Sequence, residues 1–137
     1  MIIDKELLDD LCEKAIESQR LRMNYDLRDT EEDGAQRMLN ALQCGTIIPI
    51  HRHRDTSETA FVLRGKVKWL FYSDNGNVEE SYIVAPDSEI FGLSVPIGQW
   101  HSLECLENNS VIVSIKNGAW HPLDVKDILT QNNCVQK

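Results

Sequence analysis

Long apolar runs are missing from this chain: no stretch approaches the ~18–20 consecutive residues that a membrane-spanning helix needs. The first residues, Met1-Ile2-Ile3-Asp4-Lys5-Glu6, turn charged at once, which is not the shape of a secretory leader. A cytoplasmic protein with no membrane partner is expected. Cationic residues are scarce as well: 14 Lys and Arg stand against 22 Asp and Glu, for a formal net charge of −8. A surface of that sign repels phosphate backbones and argues against a nucleic-acid partner, although a local arginine cluster can still take an anion. Cys12, Cys44, Cys105 and Cys134 are too widely spaced for a CxxC pair or a zinc finger, and in a reducing compartment they are expected as free thiols. The seven glycines are scattered, so there is no phosphate loop or dinucleotide fingerprint, and no GxSxG nucleophile elbow occurs.

What remains is enough for one domain: 137 residues, 42% apolar and 26% charged. Residues 4–18 read as one helix capped by Asp4, with Leu8, Leu11 and Ala15 on its apolar face. Residues 19–34 are polar and read as an irregular connector. From residue 35 the period changes to two. Strands are expected at 36–43, 46–53, 59–63, 66–72, 78–84, 89–93, 101–106 and 111–115, separated by turn signals of which Asn75-Gly76 is the strongest. Many short, evenly spaced strands with no helix between them indicate an antiparallel sandwich or barrel. The division expected is a helix and connector over 1–34, a barrel over 35–116, and a closing segment and tail over 117–137, with one helical turn at Val125–Leu129.

The chain has four histidines, and two of them, His51 and His53, share one predicted strand. Alternate residues of a strand face the same side ~6.6–7 Å apart, which lets two imidazoles lean toward one ion. Glu58 follows at the start of the next strand, and His101 comes after the tight turn Pro96-Ile97-Gly98-Gln99. If the strands wrap into a barrel, three imidazoles and one carboxylate converge inside it. Such a set suits iron, manganese, nickel or zinc and leaves positions open for a ligand. The alternative is a set of ordinary core or surface histidines.

The spacing around these residues resembles a known pattern. Gly45, five residues, His51-Arg52-His53, four residues, Glu58, six residues, Gly65 is similar to the first cupin motif. Pro96-Ile97-Gly98-Gln99-Trp100-His101 resembles the core of the second. It departs from it in having three residues between Gly92 and Pro96, and Cys105 where an asparagine is usual. The runs Gln19-Arg20-Leu21-Arg22-Met23-Asn24 and Gln36-Arg37-Met38-Leu39-Asn40-Ala41-Leu42 resemble the WbuC family of cupin-fold metalloproteins, as does the helix beginning at Ile3-Asp4. That resemblance implies an all-β, single-domain cupin, a double-stranded β-helix or jelly-roll barrel, with an N-terminal α-helix. It implies one divalent transition metal ion (Fe, Mn, Ni or Zn) on His51, His53, Glu58 and His101, and pairing as a homodimer. Members of that family are encoded among O-antigen and other surface-polysaccharide genes.

Gln36, Met38 and Asn40 share one strand face, and Arg22 and Asn24 lie on the connector. Arg22, Asn24, Gln36 and Asn40 are therefore candidates to bind a small-molecule substrate, the arginine through a carboxylate or phosphate. Arg37, Arg52 and Arg54 alternate with inward candidates and are expected to face out. The function expected is a metal-dependent enzyme, of isomerase, epimerase or oxygenase type, on a small polar, sugar-derived or anionic substrate. No general base is identifiable beyond the metal ligands. The alternatives are a non-catalytic module that binds or senses a sugar or sugar nucleotide, and a structural barrel with an idle lumen.

Overall fold

The structure, a computed structural model, describes residues 1–129; Cys134 lies outside the described residues. Helix α1 (Lys5–Glu17) opens where Asp4 accepts a hydrogen bond from the Leu7 amide at 3.0 Å. That side chain meets one of the amides that a helix start leaves without a partner. Leu8, Leu11, Cys12 and Ala15 recur at helical spacing and are the residues α1 buries. No helix among the described residues is long and apolar enough to cross a membrane.

Eight strands follow: β1 (Arg22–Asp26), β2 (Ala35–Leu42), β3 (Glu58–Arg64), β4 (Val67–Tyr72), β5 (Val78–Val84), β6 (Gly92–Val95), β7 (Trp100–Cys105) and β8 (Ser110–Asn117). They form two antiparallel sheets, in the orders β1-β2-β8-β3-β6 and β5-β4-β7. The main core lies between them, around Leu42, Ala60, Val62, Val67, Trp69 and Ile112. A second cluster joins α1 to the outside of the larger sheet through Leu39, Ala41 and Val111. Pleating explains the division, since successive side chains of a strand go to opposite faces. On β2, Leu39 and Ala41 meet the helix, while Met38, Asn40 and Leu42 line the interior cavity.

Three expectations are corrected. Residues 22–26 are strand β1, not irregular connector. Met23 and Tyr25 pack on the helix cluster, so this short, polar-looking run alternates after all. Residues 46–53 join no ladder, and His51 forms only isolated bridges to His101 and Ile128. Three successive carbonyls of this segment are taken by side chains instead, Ile47 by Arg22, Ile48 by Ser102 and Pro49 by His51, while Pro49 has no N–H to donate. The strand expected at 89–93 begins only at Gly92, because Ser88 Oγ captures the Ile90 amide and carbonyl in a turn. Elsewhere the elements fall near their expected places. The helical turn is a 3₁₀ turn at Val125–Asp127, and the Asn75-Gly76 hairpin joins β4 to β5 with a register shift at Phe71/Tyr72.

Gly65 closes the β3–β4 turn at φ +84°, and a Cβ there would lie 2.7 Å from the Ser110 Cα. Gly65→Ala is therefore expected to cost about 1–3 kcal/mol in urea unfolding, from the positive φ and the overlap together. Gly34→Ala, where a Cβ meets nothing within 4 Å, is the control and should change stability little.

Candidate metal centre

The two motif segments meet through their backbones. His51 N donates to His101 O at 3.0 Å, and His101 N donates to His51 O at 2.8 Å. The tight turn before His101 is held by a further bond, from the Gly98 amide to His53 O at 2.7 Å. The three imidazoles then converge, with ring centres 4.3 Å apart for His51 and His101, 5.1 Å for His51 and His53, and 5.4 Å for His53 and His101. One donor nitrogen from each lies within 4.8 Å of the other two, a cluster able to hold a metal ion. Arg52, of opposite parity, turns from the imidazoles: its guanidinium carbon sits 4.4 Å from the centre of the Trp100 ring.

Glu58, at the start of β3, completes the group. Its Oε1 lies 3.2 Å from His101 Nε2 and 3.4 Å from His53 Nε2, and its Oε2 accepts a hydrogen bond from Ser114 Oγ. Backbone carbonyls orient two of the rings. His51 Nδ1 meets Pro49 O at 2.8 Å and His101 Nδ1 meets Gln99 O at 2.9 Å. A carbonyl only accepts, so both Nδ1 atoms carry hydrogen and both rings turn Nε2 to the centre. At His101 that nitrogen faces the Glu58 carboxylate oxygen at 3.2 Å. His53 Nε2 is buried and has no hydrogen-bond partner. An orphaned buried nitrogen in a cluster of three imidazoles, beside a buried carboxylate, is the polar arrangement that a bound cation would satisfy, so the residues fit a metal.

Electrostatics point the same way. Burial, helped by the charges of His101 and His53, lowers the His51 pKa to about 3, so this ring is neutral at physiological pH, as a ligand must be. Burial pushes the Glu58 carboxyl up, but His101, His53 and the Lys116 charge outweigh it and hold Glu58 well below the ordinary carboxylate range.

The group stands in a cavity of about 820 Å³. The inner rows of β1, β2 and β8 line it, and Arg22, Asn24, Gln36 and Asn40 all belong to those rows. Asn24 and Asn40 are cross-strand partners. Gln36 is already engaged, its amide donating to Gly118 O at 2.9 Å. Arg22 reaches Ile47 O at 2.7 Å through Nη1, and burial, then the charge of Arg20, lowers its pKa. Arg37, expected to face out, lines the cavity, with Nη2 bonded to Asp33 at 3.0 Å and to Leu27 O. Arg52 and Arg54, also expected to face out, line the cavity too and share the Asp127 carboxylate, at 3.0 and 2.6 Å. Ser114 and Lys116 were missed from sequence, although both share the parity of Ile112 on the last strand. At the mouth, His121 pairs with Asp55 at 2.9 Å. Cys105 is buried away from the cavity, its thiol donating to Glu107 O.

The profile of a protein family described as "Domain of unknown function (DUF6016)" matches residues 3–84. The chain belongs to the DUF6016 family. No curated protein matches this DUF6016 chain. Solved structures that do include the capsular polysaccharide assembling protein CapF of Staphylococcus aureus, at 24% identity and TM-score 0.61, over 72% of this chain and 27% of that one. An oxalate oxidase in complex with the substrate analogue glycolate matches at 15% identity and TM-score 0.61, over 75% and 54%. The Cnp3 cupin domain of Schizosaccharomyces pombe matches at 14% identity and TM-score 0.56, over 74% and 67%. The chain thus spans about a quarter of CapF and about half of the oxidase. At these identities the likeness shows the fold, an all-β cupin with an N-terminal helix.

In the metal-free DUF6016 protein, stability should fall as pH drops from 6.5 toward about 3, because unfolded His51 takes up a proton that the folded ring refuses. Urea unfolding across that range should show the slope, and His51→Gln should reduce it. An equal slope in the variant would contradict the assignment.

Proposed function

We propose that this chain is a metal-dependent cupin enzyme that holds one divalent transition ion on His51, His53, Glu58 and His101 and acts on a small polar, sugar-derived or anionic substrate. The observation that carries this reading is the convergence of three imidazoles, with a buried carboxylate oxygen 3.2 Å from one of them. A bound iron, manganese, nickel or zinc ion would supply a Lewis acid there, suited to isomerase or epimerase chemistry or, with iron or manganese, to oxygenase chemistry.

The chain's own residues do the rest. The Pro49 and Gln99 carbonyls fix two rings, Ser114 orients Glu58, and Arg22, Asn24, Gln36 and Asn40 meet the ligand's polar groups. The resemblance to the WbuC family supports a place in surface-polysaccharide biosynthesis, as does the likeness to a capsular polysaccharide assembling protein. The glycolate bound by the oxidase of similar fold supports an anionic substrate.

A second reading, a binding module without turnover, is favoured by one feature. Asn24 and Asn40 orient a ligand but cannot take a proton at neutral pH, and Glu58 is already held by Ser114 and the histidines. A homodimer is also inferred. Phe61, Leu63 and Ile115 are 43%, 41% and 40% exposed on the outer face of the larger sheet, and Phe61→Glu should shift a dimer toward monomer in light scattering.

Elemental mass spectrometry of untagged protein should find about one transition ion per chain, and His101→Ala should lose it. No ion, even after reloading with each metal, would overturn the metal reading. Turnover of a nucleotide-sugar panel separates enzyme from module, because the module predicts thermal stabilisation by the same compounds without product.

A further inference from the structure

The cavity reverses the charge of the chain. Seven of the 14 cationic side chains line it, against five of the 22 acidic ones. Most of these cations are already balanced. Arg28 is on Asp26 at 2.7 Å, Arg37 on Asp33 at 3.0 Å, and Arg52 and Arg54 on Asp127. Arg20 and Arg22 are different. Among the described residues neither has a carboxylate partner, the Arg20 side chain makes no hydrogen bond, and Arg22 uses only Nη1, on Thr46 Oγ1 and Ile47 O. The Nε and Nη2 edge of Arg22 is free. Between the two arginines Leu21 holds φ 57°, a left-handed backbone uncommon for any residue but glycine. Two like charges brought together without a counter-charge, on either side of a strained residue, are the arrangement expected of a site completed by a ligand.

We infer that Arg20 and Arg22 form a subsite for a phosphoryl group, so that the ligand of this cavity is a phosphorylated or nucleoside-diphosphate-linked sugar. The inference rests on the proposed reading of a polar ligand in the cavity, but not on the metal. A phosphomonoester carries nearly two negative charges at neutral pH and offers three acceptor oxygens, whereas a carboxylate balances only one of the two guanidiniums. Arg22 and the Glu58 of the histidine cluster come from different ends of the larger sheet. Arg22 stands in the row of Leu42 and Ser110, and Glu58 in the row of Lys116. Six residues of β8 separate those rows, roughly 20 Å at ~3.4 Å per residue. The Arg22 side chain shortens that gap by resting on Ile47 O, whose residue is at most ~14 Å along the chain from His51. A ligand reaching across that gap would present its sugar hydroxyls to the histidines and its phosphate, or a diphosphate, to the arginines. The Asn24 and Asn40 amides, which have no hydrogen-bond partner among the described residues, stand one alternate position further along the same inner rows.

Calorimetric titration of the native protein with inorganic phosphate, UDP, UDP-glucose and glucuronate tests this. UDP and UDP-glucose are expected to bind at least tenfold more tightly than glucuronate. Arg20→Gln/Arg22→Gln should weaken UDP and UDP-glucose at least tenfold with metal content unchanged. Arg20→Gln alone, which breaks no side-chain hydrogen bond or ion pair among the described residues, should weaken them severalfold. Arg64→Gln, whose partner Asp9 lies on α1 outside the cavity, should change nothing. His101→Ala should lose metal and keep UDP binding, which separates failure of the subsite from failure of the metal reading. UDP bound equally by native protein and the double variant, glucuronate bound as well as UDP, or no phosphorylated probe bound at all would overturn the inference.

Discussion

Two hydrogen bonds between the backbones of His51 and His101 hold the first motif against the second, and the centre exists because of them. The segment carrying His51 and His53 has no ladder of its own, so nothing inside it fixes where its imidazoles point. Pairing with the start of β7 does, and the bond from the Gly98 amide to His53 O sets the next pair of residues. The rings are then locked by carbonyls two residues upstream, Pro49 for His51 and Gln99 for His101. A backbone contact thus becomes a tautomer, and the tautomer decides which nitrogen faces the centre.

The pleat of the larger sheet separates chemistry from support. On β1, β2 and β8 one parity meets helix α1 with Met23, Leu39 and Val111, and the other lines the cavity with Asn24, Asn40 and Ser114. A one-residue slip in register would exchange the two sets, burying asparagine under the helix and filling the cavity with leucine. The helix is therefore more than an appendage: its apolar face covers the outer parity and so helps to hold the inner one in place.

Charge is distributed against the average of the molecule. Among the described residues Arg20 and Arg22 stand at one cavity without a carboxylate partner, while Asp26, Asp33 and Asp127 neutralise the arginines nearby. Within the centre, burial keeps His51 neutral and its neighbours keep Glu58 ionised, the protonation states a cation site requires.

Periodicity and spacing made much of this legible. The apolar face of α1, the cap at Asp4, the change to a period of two at residue 35, and the set His51, His53, Glu58 and His101 are all local patterns, and local sterics and pleating act on neighbours in sequence. Other features were not legible because they depend on partners far along the chain. Residues 22–26 became a strand only because β2 offered an edge, and 46–53 lost its ladder because Arg22, Ser102 and His51 took the carbonyls of residues 47–49. The use of Gln36 by Gly118, the sharing of Asp127 by Arg52 and Arg54, and the lack of a carboxylate partner for Arg20 and Arg22 among the described residues are facts of the same kind. Sequence by itself determined which side chains were able to meet. Tertiary structure decided which of them met, and which charges were left without a partner, because hydrogen bonds and ion pairs are settled by distance in space and not along the chain.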